Sequence, residues 1–144
     1  MADDMTSETI EHFRPKSGPH ARPDLRLKWD NLFACCSGCQ NAKRDQWDEA
    51  LLKPDEPDYS FSRYFSCEFT TGKLVPKRRL PETDRIRAEI TIRLYDLNRC
   101  APRRLDMFLN QPWYGTNVPP SKKPFRYWME ALDTTKQAGG STQS

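Results

Sequence analysis

The sequence predicts an α+β chain, on two observations. Short β-branched or alternating apolar stretches, punctuated by Pro and Gly, fill the first half. Ile86, Ile90, Leu94 and Leu97 then recur at helical spacing and give the second half an apolar helical face.

Each element follows from local composition. Residues 1–8 are polar and predict a flexible N-terminus. Thr9 to Phe13 opens with β-branched Thr9 and Ile10 and predicts a short strand carrying Glu11 and His12. Pro15, Gly18, Pro19 and Pro23 then force a loop. Leu25, Leu27 and Trp29 alternate with Arg26, Lys28 and Asp30, the period of a half-buried strand. Leu32-Phe33-Ala34 predicts one buried turn after Asn31. Cys36 to Cys39 encloses Ser37-Gly38 in a tight turn, and Gln40 to Ala50 has the composition of a short helix. Lys53 to Asp58 is a Pro-Asp-Glu loop. Tyr59 to Val75, with Thr70-Thr71-Gly72-Lys73 inside it, predicts a β-hairpin. Thr83-Asp84 starts the first helix of a helical extension, Asn98 breaks it, and Ala101 to Leu109 forms a second helix with Pro102 in its first turn. Residues 110–124 are a Pro-rich loop, and Phe125, Trp128, Met129 and Leu132 share a face of a last helix. Residues 137–144 have the composition of a disordered tail.

Composition bounds the rest. A chain of 144 residues is one domain, at most a core with an appendage. Aromatic residues at 11% argue against wholesale disorder despite 30% charged residues. The formal net charge of +3 permits a nucleic-acid partner without requiring one. No apolar run approaches the roughly 20 residues of a membrane span. The first residues lack the basic start and apolar stretch of a signal peptide. A cytoplasmic chain is therefore expected, with no membrane partner. Its five cysteines then read as thiols or metal ligands rather than disulfides.

The chemistry lies in the stretch Ile10 to Lys43. Phosphodiester hydrolysis needs a base to activate water and a cation to neutralise phosphate and leaving oxygen. His12 suits the base, and the oxygen donors Glu11 and Asn31 suit Mg²⁺ or Mn²⁺. Strand alternation turns Glu11 and His12 to opposite faces, one toward the metal and the other toward the scissile phosphate. The Cys36-x-x-Cys39 pair has the spacing of a structural Zn²⁺ half-site. Each feature also has a plainer reading. His12 and Glu11 read equally as solvated surface groups, Asn31 as a helix cap, and Cys36 and Cys39 as small buried hydrophobes. Lys43, Lys77, Arg78 and Arg79 read as phosphate contacts or as solvated charge, as do Arg103 and Arg104. The Phe125 stripe reads as core or partner surface.

These residues resemble the HNH endonucleases, which have the ββα-metal (His-Me finger) fold. The subgroup found beside ATPases in Septu-type and retron-associated bacterial defence systems is the most similar. Glu11-His12-Phe13-Arg14-Pro15-Lys16 resembles that subgroup's opening, Trp29-Asp30-Asn31-Leu32 its middle element, and Cys36-x-x-Cys39-x-x-x-Lys43 its third. Thr91-Ile92 to Leu97-Asn98, followed by Arg103-Arg104, resembles its downstream helical signature. The resemblance implies a nuclease core over residues 9–76 and a helical extension over residues 77–136. It implies His12 as general base, Glu11 as metal ligand, Asn31 as metal ligand or positioner of the base, and Gln40 as the third motif residue. It further implies DNA as substrate, Mg²⁺ or Mn²⁺ as catalytic cofactor and a defence-system ATPase as partner. Two departures stand out. Gln40 occupies a position where the family has His or Asn. The upstream cysteine pair that completes a Cys₄ zinc site in relatives has no counterpart, since none of the ten residues before Glu11 is Cys. A short or N-terminally truncated member with an incomplete zinc site accounts for the second. The departures also define an alternative, an HNH-fold nucleic-acid-binding or assembly subunit whose active site has decayed. A small zinc-ribbon-like adaptor is a third reading.

Overall fold

The structure, a computed structural model, describes residues 7–109. The Pro-rich loop, the Phe125 helix and the tail expected beyond them lie outside the described residues, as does most of the N-terminal segment. The described part is mixed α+β, with two small antiparallel sheets and several helices.

Strand β1 (Glu8–His12) pairs antiparallel with β2 (Leu32–Cys36), with Glu8 opposite Cys36 and His12 opposite Leu32. Helix α1 (Ser37–Lys43) follows β2 directly. The expected buried turn at Leu32-Phe33-Ala34 is thus a strand, because β1 supplies a partner for its backbone. The expected strand over Leu25 to Trp29 is not one. Pro23 opens a 3-10 turn, Pro23–Leu25, and a second covers Trp29–Asn31. The amides of Arg26 and Lys28 bond locally to the carbonyls of Pro23 and Leu25. Leu27 and Trp29 consequently project outward, 84% and 88% exposed. Alternation of apolar residues specifies a strand only where a neighbouring strand completes the ladder.

Helix α1 begins earlier and ends sooner than composition suggests. Cys36 is its N-cap, and Arg44 leaves the helix at φ +51°. The short helix α2 (Phe61–Tyr64), capped by Ser60, leads into strand β3 (Phe65–Cys67), which pairs with β4 (Leu74–Pro76). The hairpin expected between Tyr59 and Val75 is present, shorter than its sequence window. Helix α3 (Glu82–Leu94) follows, then a 3-10 turn over Leu97–Cys100 and helix α4 (Ala101–Leu109). Helix α3 thus ends before the break expected at Asn98, and the 3-10 turn that follows contains Asn98. Its amide donates to the Leu74 carbonyl at 2.9 Å and accepts the Leu74 amide at 2.7 Å, so it extends the edge of β4.

Two apolar clusters hold these pieces. Leu52, Tyr64, Phe65 and Ala88 form one; Phe13, Leu51 and Leu94 form the other, with Phe33, Trp47 and Tyr95 packed around it. Helix α3 contributes to both, burying Ala88, Thr91 and Leu94. Ile86, expected on its apolar face, is 41% exposed. The face is rotated because the Thr91 hydroxyl accepts the Leu52 amide at 3.1 Å and donates to the Arg87 carbonyl at 2.8 Å. A buried polar pair of this kind sets the rotation of a helix as firmly as an apolar stripe does.

The β3–β4 turn is fixed by Gly72, which sits at φ +75° with its backbone against α4. A Cβ there would lie 2.1 Å from the Ala101 carbonyl oxygen. Gly72→Ala is expected to lower stability by about 2–4 kcal/mol, combining backbone strain with overpacking. Urea denaturation checks this: the midpoint should fall with the m-value unchanged.

Candidate functional site

His12 ends β1, beside a polar cleft of about 510 Å³. Glu11, Lys16, Gln40, Asn41, Arg44 and Asp45 line the same cleft. Its walls come from β1, from the loop after it and from α1 with the residues that follow. The strand–strand–helix order therefore brings together residues some thirty positions apart in sequence. The His12 ring lies with Nε2 3.1 Å from the Arg26 carbonyl oxygen. A carbonyl only accepts, so this contact requires hydrogen on Nε2. In the neutral ring, Nδ1 is then the nitrogen with a free lone pair, the atom able to take a proton.

Asn31 fixes the loop that makes this contact. It is buried, and its side-chain oxygen accepts the Arg14 amide at 2.8 Å. Its side-chain nitrogen donates to the carbonyls of Arg14 at 3.1 Å and Leu25 at 3.3 Å. Its own carbonyl accepts the Phe13 amide. The expectation that Asn31 ligates a metal is corrected by these bonds: the amide is committed to the backbone on both ends. Its position is that of a latch, holding the two ends of the loop together one residue from the carbonyl of Arg26.

Gln40 reaches back from α1 and donates Nε2 to the Ile10 carbonyl at 2.7 Å. The amide oxygen is the end left for a ligand. The Gln40 chain, one methylene longer than Asn, spans the gap between helix and strand.

Glu11 and Lys43 meet under this surface. Lys43 Nζ donates to Glu11 Oε1 at 2.7 Å and to the His12 carbonyl at 3.1 Å. The Lys43 side chain is 0% exposed and that of Glu11 5%. Lys43 was expected to contact nucleic acid; being fully buried and ion-paired, it does not face solvent. Burial pushes the Glu11 carboxyl above its ordinary value, and the Lys43 ammonium offsets that only in part. Lys77, Arg78 and Arg79 follow β4 and are exposed; Lys77 Nζ donates to the Ser62 carbonyl at 2.7 Å. They do not line the His12 cleft. Lys16 and Arg44 do, and sequence reading missed Arg44 as a site residue. Its signal was faint: one basic residue at a helix end, where basic residues are ordinary.

Cys36 and Cys39 face elsewhere. With Cys35 they line another cleft. Cys36 Sγ also accepts the Cys39 amide at 3.4 Å, and hydrogen bonds from Cys35 and Cys39 draw the Cys36 thiol well below its ordinary range. These thiols and Cys100 border an apolar cleft of about 350 Å³, walled by Phe33, Tyr59, Phe61 and other side chains. Glu11 borders both clefts.

Fit to the metals expected from sequence divides accordingly. Among the described residues, no three His, Cys, Asp or Glu side chains are disposed to hold a metal ion. The Cys₄ zinc arrangement therefore has no counterpart there. The polar cleft offers oxygen donors from Glu11 and Gln40. Such a sparse set suits Mg²⁺, which binds through one or two protein groups and keeps several waters. No helix among the described residues is long and apolar enough to cross a membrane.

Lys43→Met leaves a buried carboxylate without its cation and is expected to cost about 3–5 kcal/mol. Glu11→Met combined with Lys43→Met should recover most of that loss. Thermal denaturation of the two variants against the parent measures it, and an equal loss in both would refute the pairing. The chain matches no protein-family model and no curated protein at a significant level.

Proposed function

We propose that the chain is an HNH-type endonuclease that hydrolyses DNA phosphodiester bonds, with His12 as the general base. One observation carries the reading: β1, β2 and α1 follow one another as in a ββα unit, and His12 and Gln40 meet in one polar cleft. The resemblance of the motif residues supports it independently. In this reading His12 Nδ1 takes the proton of the attacking water, while the Arg26 carbonyl holds the ring in the required tautomer. Lys16 and Arg44 line the cleft and receive the phosphate. Asn31 is a positioning residue, acting through the loop that carries Arg26. Glu11 and Gln40 would hold Mg²⁺ or Mn²⁺, which when bound supplies charge to the phosphate and leaving oxygen. Service in a bacterial defence system beside an ATPase is part of the proposal and rests on the resemblance alone.

A second reading has an observation in its favour. The buried Glu11–Lys43 pair holds the acidic residue beside His12 in a structural bond. A nucleic-acid-binding subunit without catalysis would keep the cleft and its basic residues and lack turnover.

Two experiments separate the readings. Purified protein is incubated with supercoiled plasmid in Mg²⁺, Mn²⁺ or EDTA. Metal-dependent nicking that falls by about 10²-fold or more in His12→Ala supports the nuclease. A folded protein that binds DNA and never nicks it supports the second reading. In parallel, DNA affinity is titrated against salt. Lys16→Ala with Arg44→Ala should reduce the slope of log K against log salt by about 1.8, two phosphate contacts at roughly 0.9 each. An unchanged slope would remove these residues from the interface.

A further inference from the structure

The thiols stand apart from the polar cleft, and their grouping is unusual. Cys35 and Cys36 end β2, and Cys39 lies in the first turn of α1. All three border one apolar cleft. Cys36 Sγ accepts the backbone N–H of Cys39 at 3.4 Å. Each of the three is half-buried, so none is sealed from solvent. They border the apolar cleft of about 350 Å³, large enough to admit a small uncharged oxidant. Arg99 lies over the group: Nη2 is 3.9 Å from Cys39 Sγ and 3.8 Å from Cys100 Sγ, and Nη1 donates to the Gly38 carbonyl at 3.1 Å.

We propose that Cys36 and Cys39 form a dithiol that hydrogen peroxide oxidises to a disulfide. The Cys36 sulfur attacks one peroxide oxygen, the O–O bond breaks, and Cys36 becomes a sulfenic acid as the second oxygen leaves as water. The Cys39 sulfur then attacks the Cys36 sulfur, the S–O bond breaks, and a second water leaves. Two thiols and one peroxide give one disulfide and two waters; the thiols lose two electrons and the peroxide gains them. Cys36 is assigned as the attacking sulfur because it borders the cleft and is the sulfur that the Cys39 amide reaches. Cys39 is assigned as the resolving sulfur because its own amide already reaches the Cys36 sulfur. Cys36 is the N-cap and Cys39 the third residue of α1, and a disulfide draws two Cβ atoms to about 3.5–4.5 Å. Oxidation therefore tightens the first turn of α1. It also removes the sulfur that caps the Cys39 amide. Both changes fall on the helix that carries Gln40 and Lys43. The inference rests on the thiol geometry and not on the nuclease reading.

The test uses the full chain, first reduced and then treated with hydrogen peroxide at a series of concentrations. Peptide mass spectrometry should find Cys36 and Cys39 joined, with two hydrogens lost, at a rate about tenfold or more above oxidation of Cys67, which does not border the cleft. Cys39→Ser should stop at a sulfenic acid on Cys36, trapped by dimedone. Cys36→Ser keeps a side chain able to cap the helix and should abolish the fast reaction at Cys39. Oxidation of Cys36 and Cys39 no faster than that of Cys67 would overturn the proposal. So would a disulfide joining other cysteines, or one equivalent of Zn²⁺ held by these thiols in the purified protein.

Discussion

Lys43 reaches Glu11 beneath the surface, and the rest of the first half of the molecule depends on that meeting. The ammonium comes from the end of α1 and the carboxylate from the middle of β1. A second bond from the same ammonium to the His12 carbonyl fixes the strand's last residue. Desolvating two charges costs several kcal/mol per ion, and close pairing offsets this only when the geometry is good. The pair is thus weak evidence for net stability and strong evidence for register. Slipping β1 by one residue would turn Glu11 outward and leave Lys43 buried alone. The raised carboxyl pKa has a direction. The folded chain holds that proton more tightly than the unfolded one, so the contribution of Glu11 to stability is fullest below the unfolded value and declines as pH rises through the folded one.

The polar half of the site follows from that register. With β1 fixed, His12 meets the Arg26 carbonyl, and Asn31 ties together the segments that carry them. Arg14 lies over the Trp47 ring, 3.7 Å from guanidinium carbon to ring centroid, and packs the loop onto the chain that follows α1. The imidazole is therefore oriented by backbone carbonyls and amides more than by neighbouring side chains. Orientation of this kind persists when neighbouring side chains vary.

The motif spacing anticipates that several of its residues share one cleft but not how they divide. Glu11, His12 and Gln40 do come to one cleft, as the motif spacing led one to expect. Asn31 was read as a ligand because amide oxygens suit hard cations; nothing local reveals that two backbone segments will claim it. Lys43 read as a phosphate contact or as solvated charge, since lysine is rarely buried; its partner lies 32 residues away. Helix α3 was legible from spacing and α4 from Pro102 near its start, although the buried face of α3 is Ala88, Thr91 and Leu94 rather than one that includes Ile86. The strand imagined over Leu25 to Trp29 was misread because a strand is completed by a partner elsewhere in the chain. The association of Cys35 with Cys36 and Cys39, and of Arg99 with both Cys39 and Cys100, depends on tertiary packing and left no trace in spacing.

Glu11 belongs to the wall of both clefts. Free energy is a state function, so linkage across that wall runs both ways. Any occupant of the polar side that draws the carboxylate toward itself must loosen Lys43, and with it α1. By reciprocity, any event that shifts α1 on the apolar side alters the affinity of the polar side by the same factor. A single shared carboxylate thus makes the two clefts thermodynamic neighbours, although one is lined by imidazole and guanidinium and the other by rings and sulfur.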